Sequence, residues 1–162
     1  VSSAITLDGL SKRFPGQSTA AVQQVSLAIE PGEIFVVMGL SGSGKSTLLR
    51  MINGLIQPSS GSVAVRGQTL SDLSKRELNR LRRQAMAMVF QSFALFPQRS
   101  VLDNAAFGLE VAGLPRTKRV APAKRALERV GLGQQLHLKP AQLSGGMQQR
   151  VGLARALALD PP

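Results

Sequence analysis

No cysteine, tryptophan or tyrosine occurs in the 162 residues, and histidine occurs once. Without thiols the chain can form no disulfide, thiolate metal site or cysteine nucleophile, a composition suited to a reducing compartment. His137, with no second histidine or cysteine to join it, cannot be half of a metal site and reads as a surface or packing residue. Six phenylalanines are the whole aromatic complement, so few rings could stack on bases. Acid is scarce as well: nine Asp and Glu against twenty Lys and Arg leave a formal net charge of +11. That excess invites a nucleic-acid partner. The bases are spread out, however, as at Lys75/Arg76, Arg80/Arg82/Arg83 and Arg116/Lys118/Arg119, and each cluster reads as a solvated helix face. No apolar run approaches the roughly 18 to 20 residues that span a bilayer. Val1-Ser2-Ser3 leads straight into an alternating segment, without a signal-peptide pattern. The expected product is soluble, or held at a membrane only by a partner.

What is present is globular: 43% hydrophobic and 18% charged residues in the length of one ordinary domain. Its most informative stretch is Gly39-Leu40-Ser41-Gly42-Ser43-Gly44-Lys45-Ser46-Thr47, the G-x-x-x-x-G-K-[ST] phosphate-binding pattern. Ile34-Phe35-Val36-Val37-Met38 before it is an unbroken apolar run, as a buried parallel strand shows. After it, Leu48, Met51, Ile52 and Leu55 recur on one face of a helix. Strand, glycine-rich turn and helix is the setting the pattern requires. The glycines let the backbone wrap phosphates, and the helix start adds its positive dipole end. Lys45 can reach the β- and γ-phosphates, and the Ser46 hydroxyl can ligate Mg²⁺. The bland alternative is a glycine-rich turn with a solvated lysine.

Elsewhere the chain alternates strand and turn, then becomes helical. Ile5–Leu7 and Val25–Ile29 read as half-buried strands around the turn Lys12–Gly16, where Phe14 taken alone is a core residue. Ser62–Val65 reads as a short strand closed by Gly67. Ser74 and Glu77 form a capping box opening a helix to about Arg83, with Leu78 and Leu81 inward. Ala85–Phe90 reads as a second buried strand with Gln91 at its carboxyl end, where ligands contact open α/β sheets. Gln91 alone reads equally well as a satisfied loop amide. Ser100 and Asp103 open another capped helix over Val101, Leu102, Ala105, Ala106 and Leu109. Pro122 suits the first turn of a helix through Leu127 to Val130, ended by Gly131. A helical block after strand and helix units suggests an inserted helical subdomain.

Leu143-Ser144-Gly145-Gly146-Met147-Gln148-Gln149-Arg150 is the second informative stretch. Serine and two glycines open a helix carrying Val151, Leu153, Ala154, Leu157 and Ala158, an anion site at a helix start. Alone it is merely a capped helix; after a phosphate loop and a strand ending in glutamine it is specific. With these three stretches the sequence resembles the ATP-binding subunits of ABC transporters over essentially its whole length. Leu143–Gln149 looks like their signature, Gly39–Thr47 their phosphate loop (the Walker A motif), Gln91 their Q-loop glutamine. Phe14 falls where they place an aromatic ring against adenine. Val37–Gly42 and Val89–Pro97, continuing into Val101–Gly108, look most like importers of glycine betaine, proline and related quaternary amines, with polar amino-acid importers the nearest competitors.

The resemblance implies an α/β fold: a P-loop NTPase core of RecA-like, mainly parallel sheet, an N-terminal antiparallel β part and an inserted α-helical subdomain. The expected division is a β part and phosphate-loop core over 1–91, a helical subdomain over 92–146, and a signature helix over 147–162 returning to the core. Strands beside Ile34–Met38, the magnesium-binding Asp, the catalytic Glu and the switch histidine are expected beyond Pro162, so residues 1–162 alone are expected to be inactive. The implied activity is ATP hydrolysis coupled to import. Phe14 would stack adenine, Gly39–Thr47 would hold the phosphates, and Lys45 would neutralise γ-phosphate charge. Ser46 and Gln91 would ligate Mg²⁺ and position water. Ser144, Gly145, Gly146 and Gln148 would reach the ATP of a second copy in a homodimer. Permease subunits and, indirectly, an extracytoplasmic substrate-binding protein are the implied partners, at the cytoplasmic face of a bacterial inner membrane, with no nucleic acid expected. The rival readings are a non-transport ABC ATPase acting on nucleic acid, which would explain the charge, and a small-molecule P-loop kinase, which Leu143–Arg150 disfavours.

Overall fold

The structure, a computed structural model, describes residues 3–160. The chain divides into two compact units, residues 1–80 and residues 81–162.

In the first unit the alternating stretches become β1 (Ile5–Lys12) and β2 (Val22–Ile29). With β3 (Ser60–Val65) and β4 (Gln68–Thr69) they form an antiparallel sheet in the order β2-β1-β3-β4. Leu7, at the centre, pairs with Leu27 on one side and Val63 on the other. Beyond it the register slips on both sides. There Gly9 is left-handed at φ +55, and Gly61 lies so close to the Asp8 and Gly9 carbonyls that any Cβ would collide with them. Arg66 and Gly67, at φ +50 and +74, make the tight β3–β4 turn, whose twist matches the strands it joins. Leu7, Leu10, Val63 and Val65 are buried, as are Leu48 and Met51 of α1 (Lys45–Ile52), and each such side chain contributes about 2 kcal/mol. Helix α1 stops at Ile52, so Leu55, expected on its apolar face, lies outside it and exposed.

The two expected parallel strands are not formed. Residues 33–40 and 86–90 carry no strand, and neither run belongs to the sheet of the first unit. Ile34 and Met38 are 91% and 87% exposed, and Val89 and Phe90 are also exposed. An apolar run prefers burial, but strand structure needs a ladder for its N–H and C=O groups, and among the described residues no ladder forms at either run.

The capping box at Ser74 is present: the Glu77 carboxylate accepts from the Ser74 N–H at 2.9 Å, and Ser74 Oγ accepts from the Glu77 N–H at 3.3 Å. It opens α2 (Lys75–Ala85), with Leu78 and Leu81 buried. Hydrogen bonding from the Ser74 side chain, then from its backbone, holds the Glu77 carboxyl below its ordinary value.

The second unit is a helical core. Ser100 caps α3 (Val101–Ala105), accepting from the Asp103 N–H at 3.0 Å while its hydroxyl donates to the Asp103 carboxylate at 2.7 Å. Next come α4 (Phe107–Val111), α5 (Arg116–Arg129) and α6 (Gly145–Leu157). Val101, Ala105, Leu127, Leu132, Val151 and Ala154 form one buried cluster. Helix α5 begins six residues before Pro122, which therefore lies inside the helix rather than in its first turn. Pro115 precedes the first helical residue instead, and the Pro122 nitrogen has no proton for the turn below. At the other end Gly131 does terminate the helix. It is left-handed at φ +73, its N–H donates to the Glu128 carbonyl, and Leu132 N–H donates to the Leu127 carbonyl. That paired closure, with Leu127 and Leu132 both buried, is a Schellman motif.

Asn104 is the only polar side chain fully buried among the described residues. Its Oδ1 accepts from Phe96 N–H at 2.8 Å, and its Nδ2 donates to the carbonyls of Phe96, Arg99 and Ser100 at 3.0–3.2 Å. One side chain thus closes the whole turn that leads into α3. Above that turn Phe96 and Phe107 meet at 4.5 Å, the Arg99 guanidinium lies 5.1 Å from each ring, and Glu110 bridges Arg99 and Arg119.

Candidate nucleotide-binding site

In the first unit Gly39 to Thr47 form a loop running into α1. Gly42 and Gly44 are left-handed, at φ +80 and +89, a conformation glycine adopts without steric cost. Gly44 also lies against the Ala21 carbonyl so closely that a Cβ would collide with it. A Cβ at Gly39 would stand 2.6 Å from Ser43 Oγ, a contact that a turn of the serine side chain would relieve. The Lys45 ammonium curls back into the loop, donating to the carbonyls of Gly39 at 2.8 Å and Leu40 at 2.7 Å and to Ser43 Oγ at 3.3 Å. A cation is therefore held at the mouth of the turn by weak, exposed acceptors that an anion could replace. Leu40 and Ser41 form the exposed tip, with Leu40 85% exposed.

An open cleft of about 770 Å³ lies beside this loop. Gly42 to Thr47 form one wall; Phe14 and residues 16–21 form the other. Phe14 is half-buried, with the Lys12 ammonium 5.4 Å from its ring centre, while that ammonium donates to the Gln57 carbonyl at 2.7 Å. The fold thus brings Phe14 and the phosphate loop to one cavity although about thirty residues separate them. The wall made by Gln17, Ser18 and Thr19 has no counterpart in the sequence reading; a polar loop between two strands carries no pattern that would announce it.

The second unit carries the remaining candidates. Gln91 is exposed in a turn that follows residues 86–90. Ser144 caps α6, accepting from the Met147 N–H at 3.3 Å, in the extended conformation of an N-cap. Gly145 and Gly146 are exposed, and a Cβ on either would meet nothing within 4 Å. Neither glycine is left-handed, so nothing in this chain requires the absence of a side chain there. Gln148 is tied inward: its amide donates to the carbonyls of Pro140 at 3.0 Å and Leu143 at 3.3 Å, fixing the approach to the helix start. His137 is exposed. Among the described residues no three His, Cys, Asp or Glu side chains gather to hold a metal. No helix among them is long and apolar enough to cross a membrane.

Residues 22–162 match the family model described as ABC transporter. The chain belongs to the ABC transporter family. The glycine betaine/proline betaine transport ATP-binding protein ProV of Salmonella typhimurium is 54% identical over 156 residues, which cover 94% of this chain and 39% of ProV. The methionine import ATP-binding protein MetN 2 of Yersinia pestis bv. Antiqua is 47% identical over 159 residues, covering 97% of this chain and 48% of the relative. This ABC chain therefore spans less than half the length of either. Among solved structures, the dimeric structure of MJ0796, a bacterial ABC transporter cassette, superposes with a TM-score of 0.90 at 37% identity, covering 98% of this chain and 71% of that one. The fold is thus that of an ABC cassette, the P-loop NTPase class expected from the sequence.

Proposed function

We propose that this chain is the nucleotide-binding part of an ATPase subunit that drives import of a quaternary amine such as glycine betaine through a membrane permease. The observation that carries the reading is the single cleft walled by Phe14 and by the phosphate loop, since a purine nucleotide needs both a ring surface and a phosphate cradle. Phe14 stacks adenine. Gly39, Leu40, Ser41, Gly42, Ser43 and Gly44 wrap the phosphates, and Lys45 leaves the Gly39 and Leu40 carbonyls for the γ-phosphate. Phosphoryl transfer asks mainly for positioning and charge stabilisation, which backbone N–H groups and one ammonium supply.

Ser46, at the cleft wall, and the Gln91 amide offer neutral oxygens of the kind that hold Mg²⁺ beside phosphates. The metal, when bound, neutralises charge on the β- and γ-oxygens. Gln91 also orients the attacking water. Ser144, Gly145 and Gly146 serve the nucleotide of a second copy, with Gln148 setting the shape of their helix start. Two glycines in a first helical turn cost about 1 kcal/mol each against alanine, and the open space over them is room for a phosphate brought by a partner. Dimeric association of the MJ0796 cassette and the transport names of the relatives support a homodimer under a permease, at the cytoplasmic face of a bacterial plasma membrane. A substrate-binding protein would then deliver cargo from the other side.

The higher identity to ProV than to MetN 2 favours a betaine over methionine, which is the second reading. Uptake of labelled glycine betaine and methionine by cells whose only importer carries the full-length subunit separates the two. Methionine uptake without betaine uptake would reject the substrate. For the composite site, Lys45→Ala and Ser144→Arg homodimers should each be inactive, and mixing the two variants should restore ATP hydrolysis through one intact site per heterodimer. Activity in either homodimer alone would reject it.

A further inference from the structure

Phe93 and Ala94 are both left-handed, at φ +59 and +46, although neither is glycine. Two successive L residues in that region need an external hold, because the Cβ of each crowds its own carbonyl. The hold comes from α6. The Arg155 guanidinium donates through Nη2 to the Phe93 carbonyl at 2.9 Å and through Nη1 to the Ala94 carbonyl at 2.7 Å. One helical turn earlier Gly152 is buried, and a Cβ there would stand 3.6 Å from the Phe93 carbonyl oxygen, so the turn lies along this face of the helix. Arg155 is half-buried and makes no ion pair with a carboxylate among the described residues. Burial pushes its guanidinium below its ordinary value, yet the guanidinium stays a cation across physiological pH.

We propose that Arg155 is a positioning residue that latches the Phe93–Ala94 turn to α6, so that Gln91 and the Ser144 helix start move as one piece. The turn begins two residues after Gln91, and α6 runs without a break from its Ser144 cap to Arg155. Any shift of α6, such as one following engagement of Ser144, is passed through two hydrogen bonds to the backbone that carries Gln91. The fork geometry matters: a planar guanidinium can serve two neighbouring carbonyls at once, whereas an ammonium on a flexible stem cannot fix both directions. The latch rests on the reading of the chain as an ABC ATPase with Gln91 at the nucleotide.

Arg155→Lys in the full-length protein keeps the charge and most of the stem and is the variant to test. Amide exchange at 93–95 should accelerate about tenfold or more, because the Phe93 and Ala94 N–H groups are bonded only within the turn, to Phe90 and Ser92. Exchange at Val151 and Ala154 should stay as in the wild type. Dissociation of ATP should stay within about twofold, since residues 39–47 bind it, while kcat falls about tenfold or more with KM unchanged. Adding Ala94→Gly, which accepts the left-handed backbone, should restore part of the lost kcat even if the single variant folds poorly. Wild-type exchange in the turn, wild-type kcat, or no recovery with glycine would each overturn the latch. A wild-type protein that did not hydrolyse ATP would instead remove the functional reading, and the exchange comparison would still decide whether Arg155 holds the turn.

Discussion

Replacing Asn104 by alanine removes the one side chain that closes the turn from Phe96 to Ser100. Four hydrogen bonds are lost: Phe96 N–H to Oδ1, and Nδ2 to the carbonyls of Phe96, Arg99 and Ser100. Each is worth a net ~0.5–1.5 kcal/mol, and a buried group left without a partner costs ~1–3 kcal/mol. Some of the freed groups will find water, so the expected loss is about 3 kcal/mol, localised to the helical unit. Hydrogen exchange is the assay suited to a local effect, because global unfolding of a multi-unit protein is not two-state. At 1.36 kcal/mol per tenfold, exchange of the Phe96 and Val101 amides should rise by roughly two orders of magnitude. Asn104→Asp should do worse at neutral pH, since it turns a carboxylate toward three carbonyl oxygens, and should partly recover as acid protonates it. An Asn104→Ala effect below about fivefold would mean that the turn is held by its apolar neighbours, and the hydrogen-bond account would be refuted.

Phe14→Ala should weaken ATP binding by about 1 kcal/mol, close to fivefold, and leave tripolyphosphate affinity unchanged, measured by calorimetry on the full-length protein. Equal losses for both ligands would make Phe14 a packing residue. Pro122→Ala should stabilise α5 by about 1–3 kcal/mol, read as slower amide exchange along the helix, because it restores a backbone donor inside it. The Glu110 carboxyl lies below its ordinary value of 4.5, chiefly through its hydrogen bond from Arg99 and against the opposing effect of burial. Its lowered folded value means that its contribution is complete above pH 4.5 and disappears as the pH falls through that lower value. Glu110→Gln should flatten an acid titration of helical-unit stability in that range. Val36, in the unpaired run of residues 33–40, is 68% exposed, so Val36→Asp in residues 1–162 should change stability by less than about 0.5 kcal/mol.

The parts of the fold legible in the sequence are those whose physics is local. Ser74 with Glu77, Ser100 with Asp103, Ser144 before its glycines and Gly131 after Val130 each satisfy helix-end groups with atoms a few residues away, and each is where the spacing placed it. The phosphate loop is legible for the same reason, since its glycines, lysine and following helix are contiguous. Phe14 could be tied to that loop only through family resemblance, because its place on the cleft depends on how β1 turns back toward β2. Pro122 misled because a proline suits a first helical turn, and nothing nearby in sequence shows that α5 begins at Arg116, where the packing of Ala123, Ala126 and Leu127 onto α3 and α6 sets its course. Ile34–Met38 and Ala85–Phe90 misled for a deeper reason. An apolar run states which surface prefers to leave water, whereas a strand exists only if another segment accepts its backbone hydrogen bonds. Arg155 was invisible for a related reason: it looks like any other arginine of a basic chain until Phe93 and Ala94 turn their carbonyls to one guanidinium. Long-range backbone satisfaction therefore separates what this sequence states from what only its structure can, and it is at such a contact, between α6 and the turn after Gln91, that the coupling of the two candidate elements is held.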